Sequence, residues 1–129
     1  MVTDTHALVW YATGRVSRLG RRARQVFERA EAGQASVLIP TVVLVEVADL
    51  AQRGIYRFAV GVEAWLRALV GGGHFHPADL TVDVALCAER LRGIPDRMDR
   101  LIAATAASQG VPLVTRVASI AAAGVSVIW

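Results

Sequence analysis

No lysine occurs in this sequence: all 14 basic residues are arginine. Mechanisms that need a lysine amine are therefore excluded. P-loop nucleotide hydrolysis, Schiff-base chemistry and receiver domains that pair an acidic cluster with a lysine all fall away. Cysteine is almost absent as well. Cys87 stands alone, so no internal disulfide is available. Mean hydropathy is +0.44, yet no stretch offers the roughly 18 uninterrupted apolar residues of a membrane span. The first residues read as a strand, without a charged lead-in or a cleavage pattern. The expectation is a cytoplasmic protein without a signal peptide.

What is present describes a folded domain. Hydrophobic residues make up 54% of the chain and charged residues 19%, a balance that excludes disorder. A length of 129 residues suits one domain, 1–129, with a buried core. Net charge is +3 and the isoelectric point about 10.0. The planar guanidinium fork suits phosphate, which leans toward nucleic acid. A GC-rich coding sequence would give the same arginine bias, and both causes stay open.

Four acids stand out against this background: Asp4, Glu46, Asp96 and Asp99. Asp4 leads into Ala7-Leu8-Val9-Trp10. Glu46 interrupts the run Val42-Val43-Leu44-Val45 before it and Val47-Ala48 after it. Asp96 and Asp99 open a segment that continues Leu101-Ile102-Ala103-Ala104-Thr105-Ala106. A carboxylate left buried and unpaired costs several kcal/mol, roughly. Carboxylates drawn together from distant segments are reconciled by a hard divalent cation.

The hydrophobic pattern predicts strands alternating with helices. Met1 to Asp4 reads as a short buried strand, followed by a helical turn through Tyr11. Leu19, Ala23, Val26, Phe27 and Ala30 define one helix face, with Arg18, Arg21, Arg22 and Arg29 largely opposite and Gly33 as the stop. Residues 36–40 read as a strand. Thr41 is placed to cap the helix that carries Glu46 and runs to about Arg53. Val62, Leu66, Leu69 and Val70 mark another helix, closed by Gly71 to Gly73. His74 to His76 read as a brief strand. Leu80, Val84, Cys87, Ala88 and Leu91 mark a further helix, and 96–108 the next, ending at Gly110. Residues 111–115 and 125–129 read as the last two strands. This alternation implies an α/β fold with a mainly parallel sheet flanked by helices. Ligands bind such sheets outside the carboxyl ends of the strands.

Each acid also has a local reading. Asp4 is placed to cap a helix, as is Asp96, with Asp99 favoured in the first turn by the helix dipole. Asp49 precedes Arg53 by four residues and is read as a surface ion pair. His74 and His76 lack a third ligand at metal spacing, so zinc is not expected. His6 reads as a local hydrogen-bonding group. Cys87 reads as inert core. The arginine-rich helix face is either a solvated face or a surface for RNA or an acidic partner.

Taken together, these residues resemble the PIN-domain ribonucleases, and most closely the toxin subunits of VapBC toxin–antitoxin modules. Four segments carry the resemblance across nearly the whole chain. They are Thr3-Asp4-Thr5-His6-Ala7-Leu8-Val9-Trp10, Val45-Glu46-Val47, Asp96 to Ala106, and Pro112-Leu113-Val114-Thr115-Arg116. The third is the most specific. The resemblance implies a PIN-like three-layer α/β sandwich and metal-dependent RNA phosphodiester hydrolysis. Asp4, Glu46 and Asp99 match the catalytic, metal-ligating acids, and Asp96 matches an accessory metal-binding acid. Mg²⁺ or Mn²⁺ held there would polarise the phosphoryl group and supply the attacking hydroxide. Arg100 and Arg116 are candidates for the substrate phosphate by proximity. The implied partners are an RNA substrate, a cognate antitoxin and a second copy of the chain as a homodimer, with no membrane. One departure bears on activity: where the family has a further Asp, this chain has Val117. Two other readings stay open. One is a PIN scaffold that binds RNA or an antitoxin without efficient cleavage. The other is an unrelated small α/β binding domain whose acids are all caps.

Overall fold

In the computed structural model, which describes Met1 to Trp129, five short strands form one sheet. They are β1 (Val2–Thr3), β2 (Val37–Pro40), β3 (Phe75–Ala78), β4 (Leu113–Val114) and β5 (Val127–Ile128). Their spatial order is β3-β2-β1-β4-β5, and every neighbouring pair is parallel. Val2 is the register anchor, opposite Leu38 on one side and Leu113 on the other. Val2, Val37, Ile39, Leu113 and Val114 are fully buried, as expected for a parallel sheet covered on both faces.

Parallel strands require crossovers. Seven helices supply them: α1 (Thr5–Ala12), α2 (Arg21–Glu31), α3 (Thr41–Gln52), α4 (Val62–Gly71), α5 (Val82–Arg90), α6 (Arg97–Gln109) and α7 (Ala118–Ala122). A single 3₁₀ turn, Val16–Arg18, joins α1 to α2. Helix α2 buries Ala23, Val26, Phe27 and Ala30 and leaves its arginines exposed, as its periodicity predicts. Helix α6 begins where Asp96 accepts from the amides of Met98 and Asp99, at 2.8 and 2.9 Å. It ends at Gly110, whose φ of 64° closes the helix in the left-handed region. Small residues between these limits, Ala103, Ala104 and Ala106, are fully buried and let α6 approach α5 and β1 closely. No helix is long and apolar enough to cross a membrane.

Several boundaries differ from the sequence pattern. Thr41 does not cap α3. It is the first helical residue, and Pro40 stands at the cap position without a side-chain bond. The reason is that Pro40 still belongs to β2, paired with Ala78, so the strand runs directly into the helix. Leu80 lies outside α5 and is 48% exposed, because the Thr81 hydroxyl accepts from Val84 and starts the helix beyond it. Leu19 is buried although α2 starts at Arg21. Helix α7 lies between the strands read at 111–115 and 125–129, in a stretch to which the sequence pattern assigns no element.

The sheet order reverses direction between β1 and β4. From β1 the chain moves outward to β2, and from β4 it moves the opposite way to β5. Right-handed crossovers then send the two connections to opposite faces and open a crevice at the carboxyl ends of these strands. Asp4 directly follows β1, and Thr115, Arg116 and Val117 follow β4.

The last residue, Trp129, is pressed against the start of α2. A Cβ on Gly20 would lie 2.4 Å from the Trp129 carbonyl carbon and 2.7 Å from its ring Cδ1. Gly20 has an ordinary φ of −64°, so space rather than backbone freedom requires glycine there. Gly20→Ala should destabilise the fold by about 1–3 kcal/mol through overpacking. Urea unfolding would register this as a lower midpoint at unchanged slope. An unchanged midpoint would mean that the β5 end yields freely.

Candidate metal centre

Asp4 is built into the switch-point crevice by its backbone. Its N–H donates to the Val114 carbonyl of β4 at 3.1 Å, and its carbonyl accepts from Leu8 at 3.2 Å. Its Oδ1 accepts from the Ala7 amide at 2.7 Å and caps α1. The local reading of Asp4 is therefore correct, but incomplete. Only 5% of the residue is exposed, and burial pushes its carboxyl above the usual range. A hydrogen bond from Thr115, the Ala7 amide and the charge of His6 act in the opposite sense, while Glu46 adds to the rise.

Asp99 belongs to the same electrostatic group. Partial burial raises its pKa first, followed by the charges of Asp96, Asp4 and Glu46; His6 opposes them. Asp4 arrives from β1, Glu46 from α3, and Asp96 and Asp99 from the start of α6. The fold thus brings all four acids into one field, with α3 and α6 packed against each other. Glu46 is held from a direction the sequence does not reveal: the buried Thr5 hydroxyl donates to its Oε2.

The PIN-domain family model matches residues 1–117 of the sequence. The chain belongs to the PIN-domain family. Solved structures agree in fold. VapBC2 from Rickettsia felis bound to a promoter DNA fragment superposes with a TM-score of 0.74 at 15% identity, covering 98% of this chain and 96% of that one. A toxin–antitoxin complex from Klebsiella pneumoniae gives 0.69 at 22% identity, with 99% and 95% covered. FitAcB from Neisseria gonorrhoeae gives 0.67 at 17%, with 99% and 96% covered. By sequence, no curated protein matches it.

The carboxylates of this PIN domain form an all-oxygen donor set, the chemistry that a hard divalent cation prefers. Burial is the first cause of the raised carboxyls of Asp4 and Asp99, and the repulsion that neighbouring acids add to it is the kind that a cation relieves. The set is not closed: no three His, Cys, Asp or Glu side chains stand close enough to hold an ion directly. A surface concavity of ≈ 860 Å³ lies elsewhere, lined by Met1, Arg22, Arg29, Ser36 and Ile128 among others. Its one carboxylate, Glu28, is paired with Arg24 at 2.6 Å.

Other residues of the PIN domain fall into place around this group. Val117 is half-buried at the cap position of α7, and its amide donates to the Thr115 hydroxyl at 3.1 Å. Arg116 is exposed, with its guanidinium 4.8 Å from the Trp10 ring centroid. The charge of Arg100 is felt at Glu89 of α5 and is not among those that shift Asp4 or Asp99. His74 and His76 belong to the β3 edge, outside the acidic group. The i,i+4 pair of Asp49 and Arg53 is present at 3.3 Å. Cys87 is a free thiol, partly buried on α5. Thr5 and Thr115 were missed as supporting residues. The one available signal was their position beside the motif acids in Thr3-Asp4-Thr5 and in Val114-Thr115-Arg116.

Proposed function

We propose that this PIN domain is a Mg²⁺- or Mn²⁺-dependent endoribonuclease, the toxin of a type II toxin–antitoxin pair acting in the cytoplasm. The observation that carries the reading is the buried Asp4 at the switch point, electrostatically coupled to Glu46 and to Asp99, which in turn feels Asp96. Asp4, Glu46 and Asp99 would hold the cation in part through bound water, since no three of these side chains reach it directly, with Asp96 as the accessory acid. When bound, the ion would supply Lewis-acid polarisation of the phosphoryl group and a lowered pKa for attacking water.

The chain's own contribution is preorganisation. Asp4 is fixed by the amide of Ala7 and supported by Thr115, and Glu46 is oriented by Thr5. Asp96 commits Oδ1 to two backbone amides, which leaves its other oxygen without a protein donor. Arg116, exposed just after β4, and Arg100 on α6 would hold substrate phosphate. The toxin assignment draws on family membership and on neighbours described as toxin–antitoxin complexes. It implies a cognate antitoxin partner. A homodimer is part of the same reading, and exposed Val45, Val82 and Leu86 offer apolar surface for it. Incubation of RNA with the purified chain, in Mn²⁺ and in chelator, tests the activity. Intact RNA in both would reject it.

Val117 supports a second reading, a weakened enzyme that binds RNA or an antitoxin and cuts slowly. Hard-cation affinity follows ligand charge and number. Val117→Asp should therefore tighten Mn²⁺ binding and speed RNA cleavage. The residue is half-buried rather than enclosed, and Asp at the cap of α7 is itself favourable by about 0.5–2 kcal/mol. Stability should hold or rise. Calorimetric Mn²⁺ titration of both forms decides. Equal affinity and equal cleavage rate would mean that the native acids already complete the site.

A further inference from the structure

Trp10 gathers two arginines from opposite ends of the chain. The Arg116 guanidinium lies 4.8 Å from the Trp10 ring centroid and that of Arg18 lies 5.7 Å from it. Trp129 meets Trp10 edge-on at 6.1 Å and also receives Arg116 at 6.0 Å. His6, whose charge is felt at Asp4 and Asp99, lies 5.5 Å from the Trp10 ring. His6 thus stands between the aromatic cluster and the acidic group.

Two features of this cluster are unexplained by packing. Neither Arg18 nor Arg116 takes part in an ion pair, although four other arginines do. Two cations are thus drawn to one ring without a counter-ion. Trp10 is also 4% exposed, and its indole Nε1 is buried without a hydrogen-bond partner. An arginine stacked on an aromatic face keeps its in-plane N–H donors free, and those donors match a phosphate in fork geometry. Exposed Arg18 and Arg116 are therefore held in place by the ring with their donors unassigned.

We propose that Arg18 and Arg116, mounted on Trp10, form a clamp for the backbone of single-stranded RNA beside the acidic crevice. The proposal deepens the nuclease reading and rests on it for the choice of RNA. The clamp takes phosphates adjacent to the scissile one and fixes the strand's direction across the carboxyl ends of β1 and β4. Single-stranded rather than duplex RNA is favoured because the clamp is a local, side-chain-sized feature. A flexible strand can bend into it and into the crevice together.

The test is binding of a short, fluorescein-labelled single-stranded oligoribonucleotide to the full chain in chelator, followed by anisotropy over a salt series. Arg18→Gln and Arg116→Gln should each weaken binding about tenfold, the scale of one charge-assisted hydrogen bond. Each should also lower the slope of log affinity against log salt by about 0.7, the single-strand value for one phosphate contact. Arg22→Gln on the outer face of α2 removes the same charge away from the crevice and should change both far less. Arg18 is exposed, so its variant keeps the fold even where Arg116→Gln loosens Trp129. Affinity and slope equal to those of Arg22→Gln would overturn the clamp. So would unchanged RNA binding with lost binding of a labelled glutamate-rich peptide, which would make the surface a seat for an acidic protein segment. Reduced RNA binding in these variants, with no cleavage by any form in Mn²⁺, would leave the clamp standing and reject the nuclease reading. Cleavage with unchanged binding would do the reverse.

Discussion

Asp99→Asn should cut RNA at least about 10²-fold more slowly than the native chain while keeping its fold. Metal-assisted charge stabilisation is worth several kcal/mol in the transition state, and each 1.36 kcal/mol is tenfold in rate. The variant removes charge without removing volume. The cap of α6 stays intact, since it is Asp96 that accepts from the amides of Met98 and Asp99. Asp4→Asn should behave alike, because asparagine caps helices about as well as aspartate and can still accept from Ala7. Loss of activity is in this way separable from loss of structure. Single-turnover cleavage in saturating Mn²⁺, with near-ultraviolet circular dichroism as the fold check, measures both. Native-rate cleavage by Asp99→Asn would remove that residue from the proposed site.

Mn²⁺ should raise the melting temperature of the native chain by several degrees and leave Asp99→Asn nearly unmoved. A ligand at a hundred times its dissociation constant stabilises by about 2.7 kcal/mol if it binds only the folded state. The metal-free protein carries the complementary signature in pH. The carboxyls of Asp4 and Asp99 are raised in the fold, chiefly by burial and then, at Asp99, by neighbouring acids. The folded state therefore holds these protons more tightly than the unfolded chain does. This contribution is fully present below the ordinary carboxylate range. It is lost as pH rises through the raised folded values. In chelator, Asp99→Asn should flatten this dependence and melt higher than the native chain at neutral pH. Scanning calorimetry from acid to neutral pH, with chelator and with Mn²⁺, tests both parts. A native chain indifferent to Mn²⁺ would count against any cation at these acids.

The candidate site illustrates how local and distant information divide. Asp96 as a helix cap and Gly110 as a stop are visible in the sequence because both act within one turn of α6. The arginine face of α2 is visible for the same reason, since side chains three and four apart share a surface. Asp4 and Glu46 attract notice as acids in apolar runs, and burial bears out the reading at Asp4. Their support is not visible. Thr5 donates to Glu46 across 41 positions, and Thr115 reaches Asp4 from the far end of the chain. Threonine is too common beside strands for either contact to stand out.

By itself, the sequence determined the excluded chemistries, the alternation that demands a parallel sheet, and the helix ends set by Asp96 and Gly110. It also contained the family motifs that name the fold. These depend on composition or on contacts within a few residues, which periodicity records directly. The tertiary structure alone decided the strand order β3-β2-β1-β4-β5, and with it the crevice between β1 and β4 where the charge of Asp4 is felt at Asp99. It alone mounted Arg18 and Arg116 on Trp10. Residues about a hundred positions apart share no periodic signal. They meet because right-handed crossovers and burial of both sheet faces leave the chain few other ways to close.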